Sequence, residues 1–238
     1  TPSNGDEILY RNGGRFQRSI VAADSSQWRS VDRYSSNKWH VITGGAGKLG
    51  IKLVAHLQKH GAKMFVLLGR RAPDTQTQAA MQSLSMQGAQ VRFVACDVAN
   101  RGSLVTALHE FRGNIGGIYH LAGVLADAPV FSQTWEHFKT TFPPKILGAW
   151  ILHEVTKTEP LDNFVLFSSQ TSFVGNPGQV NYALGNHFLD RLAYERREHG
   201  LPATALNWGP WSDVGMAATP EIITRMAARG VGLVALQE

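Results

Sequence analysis

The chain has 238 residues, of which 43% are apolar and 17% are charged, and its net charge is +5. This composition is typical of a folded globular protein and excludes a largely disordered chain; no apolar run approaches the roughly 18 residues of a membrane span. Because the excess of Lys and Arg is scattered, we expect neither nucleic-acid nor membrane binding. The single cysteine, Cys96, lies in an apolar run and fits a reducing compartment, the cytoplasm.

Residues 1–37 differ in sequence pattern from the rest of the chain. Residues 7–10 and 15–21 predict two short strands around the turn Asn12-Gly13-Gly14, and residues 22–37 indicate a polar linker. A lone hairpin buries little apolar surface, so we expect it to lean on another unit. The chain starts without an initiator Met or a signal-peptide pattern, which predicts that it is a piece of a longer protein.

From residue 38 onward, short apolar segments alternate with amphipathic ones. The apolar segments predict strands at 39–43, 63–68, 90–96, 117–121, 163–168 and 203–207. The segments with helical periodicity predict helices at 49–60, 76–87, 102–111, 135–156 and 179–199. Pro143-Pro144 should break or kink the long helix, because proline lacks an N–H group. This alternation predicts an α/β fold with a doubly wound parallel sheet of Rossmann type.

The turn between the first predicted strand and the first predicted helix is rich in glycine. Residues 45–50, Gly-Ala-Gly-Lys-Leu-Gly, match the G-x-G-x-x-G pattern of dinucleotide-binding proteins. These glycines let the backbone approach a pyrophosphate, which then faces the N–H groups at the start of the helix. Glycine turns are common, and the predicted sheet around this one makes it a candidate phosphate site. The residues assigned to it are Thr43, Gly44, Gly45, Gly47, Leu49 and Gly50.

The end of the second predicted strand distinguishes the two nicotinamide cofactors. In NAD-binding proteins a carboxylate there holds the ribose 2′-hydroxyl, whereas this chain has Arg70 and Arg71. Guanidinium groups suit a 2′-phosphate, so the sequence predicts NADPH; the alternative is a pair of solvated arginines. At the next two strand ends, Asp97-Val98 is expected to border the adenine and Ala122-Gly123 to line the dinucleotide.

Residues suited to proton transfer lie near a later strand end. Ser169 follows the strand that starts near residue 163, and Tyr182 and Asn186 lie four apart on one face of the next helix. A tyrosine beside a serine, a lysine and a nicotinamide can donate a proton to a carbonyl that receives hydride. In such a set the lysine cation would lower the tyrosine pKa, and the serine hydroxyl would bind the developing alkoxide.

Six segments occur in an order that makes the functional interpretation more specific. They are Thr43–Gly50, His120–Val124, Pro144–Trp150, Phe167–Ser169, Tyr182–Asn186 and Asn207–Trp211. Together they resemble the ketoreductase domain of a modular polyketide synthase, within the short-chain dehydrogenase/reductase superfamily. The resemblance implies that residues 38–238 are an NADPH-binding catalytic domain. It also implies that residues 1–37 are the C-terminal tail of a structural subdomain, as a short β-hairpin, plus a linker.

The resemblance assigns a role to each catalytic residue. Tyr182 would donate the proton, and Ser169 would hydrogen-bond the substrate carbonyl. Lys145 would tune Tyr182 and hold the nicotinamide ribose, and Asn186 would support the proton relay. Free-standing relatives commonly carry Lys four residues after the tyrosine. This chain has Asn there and Lys upstream, which is the exchanged arrangement of the synthase-embedded branch.

The same resemblance bears on stereochemistry. The branch that forms a D-configured (usually R) hydroxyl carries Leu-Asp-Asp after the fourth strand, and this chain has Leu125-Ala126-Asp127, with Leu125 and the final Asp127 kept. The opposite branch has a Trp eight residues before the tyrosine, where this chain has Val174. We therefore expect the D-alcohol; the alternative is that Asp127 is a solvated loop residue.

The last part of the chain resembles a lid over cofactor and substrate. It follows Pro210, which is assigned to the cofactor site, and spans residues 211–230, with Met216 as a candidate substrate contact. A surface helix is the alternative. His120 and His187 are interpreted as a structural residue and a helix residue beside the site, and no spacing of His, Cys or carboxylates suggests a metal site.

The resemblance thus predicts NADPH-dependent reduction of a β-ketoacyl thioester to a β-hydroxyacyl thioester. Its expected partners are an acyl carrier protein, which bears the substrate on phosphopantetheine, and the other domains of the same megasynthase. Two alternatives stay open, namely the ketoreductase of a fatty-acid-synthase-like megasynthase and a catalytically silent scaffold of the same fold. An epimerase-type relative fits less well, because Asn stands four residues after the tyrosine.

Overall fold

The computed structural model describes residues 8–17, 21–22, 24, 26, 34–212, 224 and 233–235. By its internal contacts the chain divides into two units, residues 1–32 and 33–238. In the first unit, β1 (Ile8–Arg11) pairs antiparallel with β2 (Gly14–Gln17). Asn12 and Gly13 both have positive φ, 49° and 75°, which is the two-residue turn that matches the twist of a hairpin. The predicted hairpin is confirmed.

The second unit is built on one parallel sheet of six strands. The strands are β3 (Trp39–Thr43), β4 (Met64–Gly69), β5 (Gln90–Ala95), β6 (Ile115–His120), β7 (Asn163–Ser169) and β8 (Thr204–Trp208). Their order across the sheet is β5-β4-β3-β6-β7-β8. The order reverses between β3 and β6, and in such sheets ligands bind in the crevice beyond the carboxyl ends of the strands at that point. The predicted doubly wound fold is confirmed.

Helices cover the sheet on both faces. They are α1 (Lys48–Lys59), α2 (Thr75–Met86), α3 (Arg101–Leu108), α4 (Trp135–Phe142), α5 (Gly148–Thr156), α6 (Thr171–Val174) and α7 (Val180–Glu198). Successive strand residues belong to different cores: Val41 packs in a cluster with Leu104 and Leu189, whereas Ile42 packs in a cluster with Val54. Because both faces are covered, β3 and β6 are buried over their whole length.

The Pro143-Pro144 pair does not break the long helix. A π-helical turn, Pro143–Leu147, joins α4 to α5, and Phe142 and Pro143 keep right-handed helical dihedrals. Since proline offers no N–H group and crowds the preceding turn, a wider turn accommodates the pair. α6 was not predicted, because four residues are too few to show helical periodicity. None of the described helices has the length and apolar character that crossing a membrane requires.

Candidate active site

The glycine turn joins β3 to α1 at the switch point of the sheet. Gly44 has φ +66°, and a Cβ there would lie 3.2 Å from Ala122 N at the end of β6. At Gly50 a Cβ would overlap the carbonyl oxygen of Gly45, so α1 packs directly on the turn. The N-cap residue, Gly47, offers no side chain to the first N–H groups of α1, and the first turn has no acidic residue. These N–H groups are therefore available to an anion.

Arg70 and Arg71 directly follow β4, and both are exposed. Within the described part of the chain neither guanidinium has a hydrogen-bond or ion-pair partner, whereas Arg92 pairs with Glu110 at 2.8 Å. A hydrogen bond from Gly44 N to Leu68 O, 2.8 Å, ties the glycine turn to this strand end. Two unpaired guanidiniums beside an uncapped helix start fit a phosphorylated dinucleotide.

The next strand end carries the two residues predicted to border the adenine. Asp97 is exposed after β5, and its Oδ1 accepts a 3.0 Å hydrogen bond from Ala99 N, which fixes the turn. Val98 is buried, and a Cβ on Gly148 would lie 2.9 Å from its Cγ2. Its side chain is thus part of the core, which leaves only the Val98 backbone to border a cofactor.

A buried hydrogen-bond link joins the two strand ends that flank the crevice. Thr43 Oγ1 lies 2.8 Å from His120 Nδ1 and accepts a 3.2 Å hydrogen bond from Ala122 N. Burial, followed by the positive charge of Lys145, lowers the pKa of His120 to about 3. The imidazole is therefore neutral at ordinary pH, and His120 connects the two strands rather than exchanging protons. Gly123 leaves room for Lys145, whose Cε would lie 3.0 Å from a Cβ there.

Lys145 projects from the π-helical turn into the protein and is 3% exposed. Its Nζ donates to Phe167 O at 2.9 Å and to Asn186 Oδ1 at 2.8 Å, and it lies 5.1 Å from the centroid of the Tyr182 ring. Burial lowers the pKa of Lys145 to about 7, against the weaker opposing effect of the Asp190 carboxylate. The Lys145 amine can therefore change its protonation state near neutral pH.

Tyr182 lies in the first turn of α7, and Asn186 follows one turn later. Asn186 Nδ2 donates to Tyr182 O at 2.9 Å, so one amide links the tyrosine backbone to Lys145. Burial raises the pKa of Tyr182, and the Asp127 charge adds to this, while the Asn186 side chain opposes it. Burial is thus the largest influence on the Tyr182 pKa in this arrangement. The expected lowering of that pKa by the Lys145 charge stays a prediction.

Ser169 ends β7, two residues after the carbonyl that holds Lys145. It is 9% exposed, and its Oγ accepts a 3.2 Å hydrogen bond from Thr171 N at the start of α6. No acceptor for the hydroxyl hydrogen lies among the described residues, so this hydrogen can donate to a ligand. Its neighbour Ser168 instead donates to Asn186 O at 3.2 Å. The structure thus joins three of the predicted catalytic residues by direct contacts and puts Ser169 at the same edge of the sheet.

The segment between β6 and α4 carries the predicted stereocontrol residues. Leu125 is half-buried, and Asp127 is exposed but accepts a 2.8 Å hydrogen bond from Gln179 Nε2. Gln179 in turn accepts from Asn176 at 2.8 Å. Asp127 is therefore tied to the start of α7 rather than merely solvated. Sequence reasoning missed Gln179, for which the only signal was a polar residue just before the tyrosine helix.

The remaining predicted residues fall at the end of the described part. Pro210 is half-buried, and its carbonyl accepts a 2.8 Å hydrogen bond from Val234 N. Met216 and nearly all of the predicted lid lie outside the described residues. His187 is exposed on α7. In the described ranges, no group of three or more His, Cys, Asp or Glu side chains is arranged to hold a metal ion.

Comparison with known proteins adds to this geometry. A family model described as the KR domain matches residues 38–213. Mycoketide-CoA synthase of Mycobacterium tuberculosis is 42% identical over 188 residues, which are 77% of this chain and 4% of that protein. Spectinabilin polyketide synthase system protein NorB of Streptomyces orinoci is 45% identical over 184 residues, 75% of this chain and 8% of that protein.

The chain is also similar to solved structures of ketoreductases. A structure of A-type ketoreductases from a modular polyketide synthase superposes with a TM-score of 0.87 at 33% identity, covering 98% of this chain and 50% of that one. The first ketoreductase of the tylosin polyketide synthase gives a TM-score of 0.85 at 35% identity, covering 97% and 50%. The chain thus spans half the length of these structures, and only a small part of the two curated relatives.

Proposed function

Since this chain belongs to the KR domain family, the ketoreductases of modular polyketide synthases, we propose that it uses NADPH to reduce a β-ketoacyl thioester to the β-hydroxyacyl thioester. The substrate is carried on the phosphopantetheine of an acyl carrier protein, and the other domains of the same megasynthase are its neighbours. Residues 38–238 form the catalytic domain, and residues 1–37 are the tail of a structural subdomain with its linker. A cytoplasmic location stays a prediction. The single observation that carries the proposal is the buried contact chain of Lys145, Asn186 and Tyr182.

The cofactor assignment to NADPH rests on charge. The glycine turn and the uncapped start of α1 would bind the pyrophosphate, and Arg70 and Arg71 would bind the 2′-phosphate that NADH lacks. Asp97-Val98 and Ala122-Gly123 would border the adenine and the dinucleotide. When bound, the nicotinamide supplies the hydride.

The proton comes from Tyr182 in this proposal. Because its pKa is raised, the phenol stays protonated and can donate from Oη to the oxygen of the substrate carbonyl as that oxygen becomes an alkoxide. The free hydroxyl hydrogen of Ser169 would stabilise the same oxygen. Lys145 Nζ lies 5.1 Å from the centroid of the Tyr182 ring, so its proton, held with a pKa of about 7, would place positive charge beside the phenol as the phenol gives up its proton.

Burial of Lys145 argues against a silent scaffold. A lysine amine enclosed among neutral hydrogen-bond partners costs folding free energy, and a scaffold gains nothing from it. No described contact favours a fatty-acid-synthase-like system over a polyketide synthase. For the product we propose the D-configured (R) alcohol, supported by Asp127, which is held beside the start of α7, and by Val174 in place of a Trp.

The test is reduction of a β-ketoacyl N-acetylcysteamine thioester, followed by the absorbance of NADPH, with chiral analysis of the product. Tyr182→Phe should lose nearly all activity, by about 100-fold or more, since the acid is removed. Tyr194→Phe on the same helix is the matched control, because Tyr194 is 44% exposed and should tolerate the change. A wild type that binds NADPH but consumes none contradicts the reductase, equal rates in the two variants contradict the role of Tyr182, and the L-alcohol contradicts the stereochemical assignment.

A further inference from the structure

Asn181, the residue before Tyr182, makes an unusually complete set of hydrogen bonds for one side chain. It has no exposed surface. Its Nδ2 lies within hydrogen-bond distance of Ala126 O at 2.8 Å, Thr141 Oγ1 at 3.0 Å and His137 O at 3.2 Å, so its two hydrogens are shared among three acceptors. Its Oδ1 accepts from Tyr182 N at 2.9 Å. Both ends of the amide are therefore used, and no water can replace a lost bond without displacing packed atoms.

The partners of Asn181 belong to three different parts of the site. Ala126 lies in the loop between β6 and α4, directly before Asp127. His137 and Thr141 belong to α4, which continues into the π-helical turn that carries Lys145. The fourth bond reaches the backbone of Tyr182 itself. One buried amide thus connects the substrate-side loop, the lysine-bearing helix and the proposed acid.

Two other hydrogen bonds run beside this one, between the same loop and the start of α7. Ala128 N donates to Gly178 O at 2.9 Å, and Gln179 Nε2 donates to Asp127 at 2.8 Å. These residues have more exposed surface than Asn181: Gln179 is 9% exposed and Asp127 is exposed, whereas Asn181 has no exposed surface. The enclosed bond is the one that solvent cannot exchange, so it sets the spacing of the loop from Tyr182.

We infer that Asn181 is a positioning residue that fixes the Leu125–Asp127 loop relative to the Tyr182 phenol and so controls which face of the substrate carbonyl is presented. The inference rests on the proposed reduction. Asn181 touches neither the glycine turn nor Arg70 and Arg71, which belong to the β3 and β4 half of the sheet. Loss of Asn181 should therefore disturb substrate binding and product stereochemistry while leaving NADPH binding intact.

The test compares Asn181→Leu, which keeps the branching of the side chain but removes all of its hydrogen bonds, with Thr141→Val, which removes only one bond to α4. For Asn181→Leu we expect kcat/KM for the thioester to fall about 10- to 100-fold, since a small misplacement of reacting groups costs this much. We also expect a higher KM and a lower enantiomeric ratio, with an unchanged Kd for NADPH. Thr141→Val should keep the wild-type enantiomeric ratio, because the bond to Ala126 remains.

A second measurement does not depend on turnover. Amide hydrogen exchange should speed up in residues 124–133 of Asn181→Leu, with no change in α1. Asn181→Ser, which leaves room for a bridging water, replaces the Leu variant if that variant does not bind NADPH. If the wild type is active and Asn181→Leu has an unchanged KM, enantiomeric ratio and amide exchange, the inference about Asn181 is overturned while the proposed function stands. An inactive wild type with faster loop exchange in the variant overturns the proposed function but keeps the positioning of the loop.

Discussion

The low pKa of Lys145 makes a quantitative prediction about stability. In the folded chain the pKa is about 7, against 10.5 for an ordinary lysine, because the amine is buried. Between these two values the unfolded chain binds more protons than the folded one, so the free energy of unfolding rises with pH across this window. Below about pH 7 Lys145 is protonated in both the folded and the unfolded chain, so its contribution to the free energy of unfolding stays constant. Replacing the lysine by methionine removes this dependence.

The expected change in the free energy of unfolding follows from the difference in bound protons between the folded and the unfolded chain. Integrating it from pH 7 to pH 9 gives about 2 kcal/mol, by which the wild type should gain stability relative to Lys145→Met. Solvent does not screen this charge effect, because the Lys145 side chain is 3% exposed.

Urea unfolding of both proteins at several pH values measures the difference directly. Lys52→Met, at an exposed position of α1, is the matched control for loss of a lysine. Unfolding free energies of wild type and Lys145→Met that run parallel from pH 7 to pH 9 would refute the reasoning, since they would mean that Lys145 titrates alike in the folded and unfolded chain.

Two further predictions concern the cofactor half of the site. Arg70→Ala and Arg71→Ala should each raise the KM for NADPH roughly 10-fold or more, because each removes charged hydrogen bonds to the 2′-phosphate. The KM for NADH should stay unchanged, and equal effects on both cofactors would contradict the assignment. Gly50→Ala should lower the Tm by about 5 °C and weaken NADPH binding, because its Cβ would overlap Gly45 O, whereas Gly102→Ala, with its nearest atom at 3.4 Å, should do neither. Thermal unfolding and a fluorescence titration with NADPH check this pair, and equal behaviour of the two glycine variants would contradict it.

The sheet could be predicted from the sequence because each strand is a short, nearly continuous apolar run. The strand at 39–43 has the predicted bounds, and the other five differ from prediction by one or two residues at an end. The glycine turn was recognisable for a related reason, since its function depends on residues that are adjacent in the chain. Local pattern was also enough to bring Ser169 and Tyr182 to one edge of the sheet, because parallel strands end together.

Features that depend on distant contacts could not be predicted. Pro143-Pro144 indicated a break or a kink, and the chain instead stays helical through a π turn, which no local pattern announces. The direction of the Tyr182 pKa depends on burial, which no motif reveals. The hydrogen bonds donated by the side-chain amide nitrogens of Gln179 and Asn181 reach residues 40 or more positions away, and the sequence around them carries no sign of it.

The buried hydrogen bond between Thr43 and His120 has a consequence for how the substrate range of such a site can evolve. It fastens β3 to β6 at the point where the sheet opens, and both strands are enclosed throughout, so the width of the crevice cannot adapt to different ligands. Adaptation to acyl chains of different size is left to residues 124–134, which follow the cofactor-lining residues Ala122 and Gly123 and pair with no strand of the sheet. New substrate ranges should therefore arise, or be engineered, by exchanging residues 124–134 while the cofactor half is kept unchanged.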